Sequence, residues 1–323
     1  MSRRRVTALL TLAVSAASAP VAPGQRDEAA SGPQPPGIRL ERVLATRGDL
    51  GRGNFLRRLT GQPDPPLFQR PFGVAWDRDT LIVTDPGRGR VVGIGGRGEL
   101  RHSASDLFSS PIGVASCRAG TLVADSRLGR VLLLDRELRL VRQVAEDLDR
   151  PTGVSCDGDR LFVAETGRHR ILVFEPGLPV RSLGGRGGGA GEFNFPTVIA
   201  PGHGRLWVGD SMNFRIQGLD PETGELASSF GRLGDAPGEM PRLKGLAIDT
   251  AGRLWISDAY LEQISIYRQD GAFLTALGGA GNEPGSFSFP AGIASHRDGR
   301  VAVVDSLNRR VQIFRWLPTE EEG

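Results

Sequence analysis

The chain is 323 residues long, carries a formal charge of +3 at pH 7, and holds 45 glycines and 22 prolines. Its length allows one large or two modest domains, and the glycines and prolines fall at turns between apolar runs, which excludes a disordered chain. The charge belongs to the first few residues: without Arg3, Arg4 and Arg5 it falls to about zero, which argues against a basic surface of the kind that binds nucleic acid.

Those arginines precede an apolar stretch from Val6 to Val14 and small residues from Ser15 to Ala19, the pattern of a secretory signal over residues 1–19. The stretch is too short to span a bilayer and no later segment approaches ~20 apolar residues, so no membrane span is expected. Residues 20–37, with five prolines, read as an extended tether, and residues 318–323 as an acidic tail. The protein is therefore expected to be exported, periplasmic or extracellular. A single lysine, Lys244, stands against 39 arginines, which reads as compositional bias.

From Ile38 to Ala45 the run IRLERVLA has strand character. After it a unit recurs six times: a proline, a short apolar run, a second apolar run ending in an acid, a tight turn, then an arginine and a third apolar run. The anchors Pro71, Pro111, Pro151, Pro196, Pro241 and Pro290 are spaced 40, 40, 45, 45 and 49 residues apart. Such a period, built from short strands, signals a propeller or a similar repeat array. In the sixth unit PAGIAS, RVAVVD and RRVQIF supply three strands. After most third runs a fourth follows, as in LRLVRQV, PVRSL, LASSF and FLTAL. The last unit lacks its fourth strand, and residues 38–45 are placed to supply it. The expected fold is all-β: a six-bladed β-propeller of four-stranded antiparallel blades over residues 38–317, closed by an N-terminal strand that completes the last blade and removes exposed sheet edges.

Two blades carry a more specific pattern, P-x-G-V/I-A followed by D-S-x-N-x-R-V/I-x-x-F. It stands as PAGIAS…VVDSLNRRVQIF in blade six and, for its second half, as WVGDSMNFRIQGL in blade four, with ADSRLGRVLLL in blade two. These residues resemble the NHL-repeat family of six-bladed propellers. Blade five departs from the pattern, with Leu261-Glu262-Gln263 in place of Asn-x-Arg and two extra residues between Pro241 and Gly245; blade four has Val198 where glycine is expected.

Each second run ends in an acid followed five positions later by arginine: Asp85 and Arg90, Asp125 and Arg130, Glu165 and Arg170, Asp210 and Arg215, Asp305 and Arg310. In blade five Asp258 meets Gln263. Repeated in nearly every blade, this bracket is expected to be architecture: a carboxylate accepts the N–H groups of the turn and the arginine grips it side-on. Cys117 and Cys156 lie in consecutive repeats at registers one residue apart, and either form a disulfide or are two separately buried small residues.

Six-bladed propellers of the gluconolactonase-like and peptidyl-amidoglycolate-lyase-like groups are enzymes that use carboxylates or histidines converging on the channel with a metal. Here the first runs, FGVAW, IGVAS, TGVS, TVIA, KGLAI and AGIAS, contain no histidine, and carboxylates occur only at their far ends (Asp77, Asp249). His102 lies near a fourth strand, His169 in a second-to-third turn, and His203 and His296 in first-to-second turns on the opposite face from His169, so the four do not converge. The glycine-rich run at residues 184–189 is no phosphate loop, since no strand-to-helix context follows it. No catalytic, metal-binding or cofactor-binding residue is therefore expected, nor a cofactor. Strand alternation gathers Arg88, Arg127, Arg168, His169, Arg186, Arg232 and Arg309 on one face, beside Phe193, Phe195, Phe214, Phe287 and Phe289, which either join that face or plug between blades. Arginine beside aromatics is a general contact chemistry. NHL-like propellers can bind RNA through such a face, but an export signal and a near-neutral mature chain disfavour nucleic acid. The expectation is a monomeric, non-catalytic binding or scaffold module for a protein or an extracellular glycan. The alternatives are a metal-dependent lactonase- or lyase-like enzyme and an extracytoplasmic sensor.

Overall fold

A computed structural model describes residues 37–51, 61–236 and 238–317. The expected signal (1–19), nearly all of the tether (20–37) and the tail (318–323) lie outside the described residues.

Twenty-four strands form six separate four-stranded antiparallel sheets. The first strand, β1 (Ile38–Leu44), precedes blade one, which comprises β2 (Val74–Asp77), β3 (Thr80–Asp85), β4 (Arg90–Ile94) and β5 (Leu100–His102). Blade two follows with β6 (Pro111–Cys117), β7 (Gly120–Asp125), β8 (Arg130–Leu134) and β9 (Leu140–Ala145). Blade three has β10 (Pro151–Asp157), β11 (Arg160–Glu165), β12 (Arg170–Phe174) and β13 (Arg181–Leu183). Blade four has β14 (Pro196–Gly202), β15 (Arg205–Asp210), β16 (Arg215–Leu219) and β17 (Leu226–Phe230). In blade five these are β18 (Leu243–Ile248), β19 (Leu254–Asp258), β20 (Gln263–Tyr267) and β21 (Phe273–Gly278). Blade six has only β22 (Pro290–Ser295), β23 (Arg300–Asp305) and β24 (Arg310–Trp316) from its own segment, and β1 is its fourth strand.

The closure is as the repeat pattern requires. Ile38 pairs with Trp316 and Leu44 with Val311, with a bulge between Leu40 and Arg42. The bulge lets β1 serve both flanks of its blade: Ile38 packs in the core shared by blades five and six, beside Trp255 and Phe314, while Leu44 packs in the core shared by blades six and one, beside Leu81 and Val311. The cores thus lie between blades, each fed by the alternating apolar side chains of the second and third strands.

The glycine of the P-x-G motif has a steric cause. A Cβ at Gly73, Gly113, Gly153, Gly245 or Gly292 would fall 2.0–2.7 Å from the carbonyl oxygen of the next blade's first strand, at Ile112, Thr152, Thr197, Ala291 and Phe72 respectively. Only a residue without Cβ lets neighbouring first strands approach this closely around the axis. Hydroxyls stitch the same seams: Thr84 Oγ1 donates to the Ile112 carbonyl at 2.9 Å, Thr152 Oγ1 to that of Thr197 at 2.9 Å, and Ser257 Oγ to that of Ala291.

The junction of blades four and five is built differently. Leu243 pairs with Asp258, as Pro290 pairs with Asp305 and Pro196 with Asp210, so Leu243 and not Pro241 occupies the anchor position. Val198 fills the glycine position of blade four, and room for it comes from Gly209, where a Cβ would lie 2.3 Å from Leu243 Cδ2 and 2.5 Å from Val198 Cγ2.

Cys117 and Cys156 are joined in a disulfide with Cα atoms 5.8 Å apart. It links β6 to β10, the first strands of blades two and three. The one-residue offset between the cysteines is taken up across the gap between two blades rather than within one sheet.

Candidate functional site

The six second-strand acids are all buried, and their carboxylates tie down the segment that leads into the first strand of the same blade. Asp85 accepts the N–H groups of Gln69 and Arg70, Glu165 that of Asp149, Asp210 that of Asn194, Asp258 that of Arg242 and Asp305 that of Ser288, at 2.6–3.2 Å. Four arginine partners close on them: Arg90 at 3.8 Å, Arg170 at 2.7 Å, Arg215 at 2.9 Å and Arg310 at 2.6 Å. The fifth expected pair does not form. Asp125 is satisfied by the N–H groups of Ser109, Ser110, Arg127 and Leu128, and Arg130 instead donates to the Leu107 carbonyl at 2.7 Å. These brackets fix loop geometry and leave little carboxylate capacity for a ligand.

The arginines expected to share one face have different surroundings. Arg127 and Arg168 line a rim cavity of about 630 Å³ with Arg150, Asp147 and Asp149. Arg168 is held by Glu165 at 2.7 Å and Arg232 by Glu239 at 2.6 Å. Arg88, Arg186 and Arg309 are exposed in separate turns. His169 is buried, accepting the Phe195 N–H at Nδ1 (3.1 Å) with its ring 4.2 Å from that of Phe195. Phe193 and Phe287 are fully buried plugs between blades. His203 and His296 cap the opposite face, bonded to the carbonyls of Asp249 and Arg78.

The six first strands enclose a central channel of about 450 Å³. Its walls are apolar, from Phe72 and Ile112 through Val114 and Ile199 to Leu246 and Ile293, with a few polar groups set among them. An apolar concavity with a small number of placed polar groups is the usual form of a small-molecule site. Where the first strands begin, on the same face as the arginine-bearing turns, register-equivalent positions carry Phe72, Ile112, Thr152, Thr197 and Lys244. Lys244 is half-buried and, among the described residues, has no hydrogen bond or ion pair. Burial, reinforced by the nearby Arg242 guanidinium and opposed by Asp258, holds its pKa below the ordinary lysine value. Asp258 is the blade acid that meets glutamine where the other blades carry arginine, so the sequence provides no side-chain cation of its own bracket to compete for it. Deeper in the channel wall the Ser155 hydroxyl has no hydrogen-bond partner among the described residues.

Sequence reasoning missed Lys244 by treating a lone lysine as composition. The signal was its placement: the only lysine in the chain lies in the first run that carries two extra residues between its proline and its glycine. Among the described residues no group of three or more His, Cys, Asp or Glu converges, and the channel lining offers one amine, hydroxyls and carbonyls, a donor set that does not fit the zinc or hard-cation centres expected of a metal-dependent propeller.

No protein-family model matches the sequence, and no curated protein is detectably similar to it. Solved structures are. They include a gluconolactonase from Xanthomonas campestris (15% identity, 78% of this chain and 87% of that one, TM-score 0.60). They also include a catalytically inactive virginiamycin B lyase from Staphylococcus aureus with quinupristin (12% identity, 76% and 94%, TM-score 0.53) and an auxiliary nutrient binding protein from Bacteroides thetaiotaomicron (13% identity, 79% and 71%, TM-score 0.62). At these identities the likeness shows the six-bladed fold alone, and the NHL-repeat assignment is narrower than what they support. Enzymes recur among these structures, and this corrects the expectation of a non-catalytic protein- or glycan-binding scaffold. That expectation rested on a channel free of imidazoles and carboxylates, and its lining nevertheless carries an amine, Lys244.

Proposed function

We propose that this chain is an enzyme of the lyase or lactonase kind, acting on a small molecule held in the mouth of the central channel. The observation that carries this reading is a break in symmetry. Four blades obey one rule at the axis, and the departures from it fall at the junction of the other two: Val198 for glycine in blade four, and Leu243 for proline with Lys244 in the mouth in blade five. Structural features repeat around the ring, whereas a reacting group is needed once.

Both reaction classes turn on a carbonyl group. Elimination removes a proton beside it, and lactone opening adds an oxygen nucleophile to it; each needs a base in a site where water is limited. Lys244 has the lowered pKa and the partly apolar surroundings of a reactive amine beside that carbonyl. The rim guanidinia of Arg127 and Arg168 would draw anionic substrates toward the mouth. We read the blades as NHL-like in motif and the mature ring as monomeric and exported, with the signal at residues 1–19; the inter-blade disulfide suits an oxidising compartment.

The test is a turnover screen of purified protein against lactones and small carboxylates prone to elimination, with product detected by mass spectrometry. The native protein is expected to convert at least one compound, and Ile112→Trp, which fills the mouth, to lose that conversion while retaining its melting temperature. Conversion that survives the filled mouth would refute the assignment.

A further inference from the structure

We infer that Lys244 is a covalent catalyst that captures the carbonyl carbon of a small oxo-acid, an aldehyde or ketone carrying a carboxylate, as an imine. The inference deepens the proposed function and rests on the channel being its active site. Three observations on the lysine's surroundings support it. First, Lys244 lines an apolar channel without a hydrogen bond or ion pair among the described residues, so its nitrogen is not committed to structure. A lysine kept for stability is normally found with its ammonium in water or paired. Second, its neighbours disfavour the protonated form, through burial and the adjacent Arg242, so that a larger share of amine carries the lone pair that attack requires. Third, the chain uses arginine at 39 other cationic positions, and arginine remains protonated and cannot act as a nucleophile. The one lysine of the chain lies where its amine meets the central channel.

The remaining groups of the site fit the rest of such a substrate. Thr197 and Thr152 flank the mouth, with the Thr197 hydroxyl engaged by Ser211 and that of Thr152 by the Thr197 carbonyl, so neither competes with the lysine as nucleophile. The Arg242 guanidinium, close enough to act on the Lys244 amine, supplies the charge to hold a carboxylate. In the covalent step the Lys244 nitrogen lone pair forms the C–N bond, the carbonyl oxygen leaves as water with the two nitrogen protons, and the C=N bond replaces the C=O bond. Protonated, that imine accepts the electron pair of an adjacent C–H bond, whose proton passes to water in the mouth.

Because the chain holds a single lysine, the experiment reads one side chain. Purified protein is incubated with glyoxylate and sodium cyanoborohydride, and carboxymethylation is followed by intact mass and peptide mapping, folded and in urea. The expected result is capture at Lys244 in the folded protein at least about tenfold faster than at Lys244 in the unfolded chain, because the channel holds the aldehyde beside an amine that is more often unprotonated. Propanal, which lacks the carboxylate, is expected to show a smaller acceleration. Equal or slower labelling in the folded state overturns the proposal, and equal acceleration by propanal overturns the oxo-acid class. Lys244→Met separates this inference from the function beneath it. Turnover lost in Ile112→Trp but kept in Lys244→Met would leave the channel enzyme standing and refute the covalent lysine.

Discussion

Removing β1 should open the ring, and the size of the effect can be worked from the strand's contacts. Deletion of residues 38–44 takes away two buried side chains, Ile38 and Leu44, which pack into different inter-blade cores. Burial of an aliphatic side chain of this size is worth about 1.5–3 kcal/mol, so the pair alone contributes ~3–6 kcal/mol. The half-buried Leu40 and Val43 add to this, as does the ladder that runs from the Ile38–Trp316 pair to the Leu44–Val311 pair. Against a total stability on the order of 5–15 kcal/mol, the loss removes a large part of the margin. It also bares the edge of β24, an unpaired strand free to recruit another chain. Urea unfolding followed by far-UV circular dichroism, with size-exclusion chromatography on the same samples, would measure both consequences. An unfolding free energy within about 0.5 kcal/mol of the full chain, with no new oligomer, would refute the closure reasoning.

Three further outcomes follow from the same geometry. Replacing Cys117 and Cys156 together by serine should lower the unfolding free energy by ~4 kcal/mol, from the loop entropy of a 39-residue separation, as read by chemical denaturation with and without reductant. Gly113→Ala should destabilise by about 1–3 kcal/mol, because its Cβ would meet the Thr152 carbonyl oxygen at 2.0 Å, whereas Gly185→Ala, which meets nothing, should change stability by less than about 0.5 kcal/mol; thermal unfolding distinguishes the two. Lys244→Met should be more stable than the native chain at neutral pH. The lysine's lowered pKa means that the unfolded state binds more protons between that pKa and the ordinary 10.5, so native stability rises with pH across this window and the variant's advantage shrinks. A constant difference from pH 7 to pH 11, with Arg242 and Asp258 unchanged, would contradict it.

The architecture was legible because its determinants are local and repeated. Six copies of proline, apolar runs, acid and arginine announce six blades, and a strand before the first unit with a vacancy after the last announces how they close. The acid brackets were legible for the same reason, with Asp125 the exception because backbone N–H groups alone satisfied it. The site was not legible, because it sits where the repeat fails. Counting from Pro241 hides Lys244, and only the pairing of Leu243 with Asp258 reveals that the lysine occupies the position of Thr152 and Thr197. The disulfide was open for a related reason: the spacing of Cys117 and Cys156 fixes their place within each blade, but their approach to 5.8 Å between Cα atoms depends on how two blades meet.

The channel mouth at the junction of blades four and five is the proposed place where this protein meets its substrate, and a crystal structure with any compound it converts would show whether it is. That compound is expected among Lys244, Thr197 and Ile112. A compound bound only at the outer rim, or in a cleft between blades away from the axis, would contradict it.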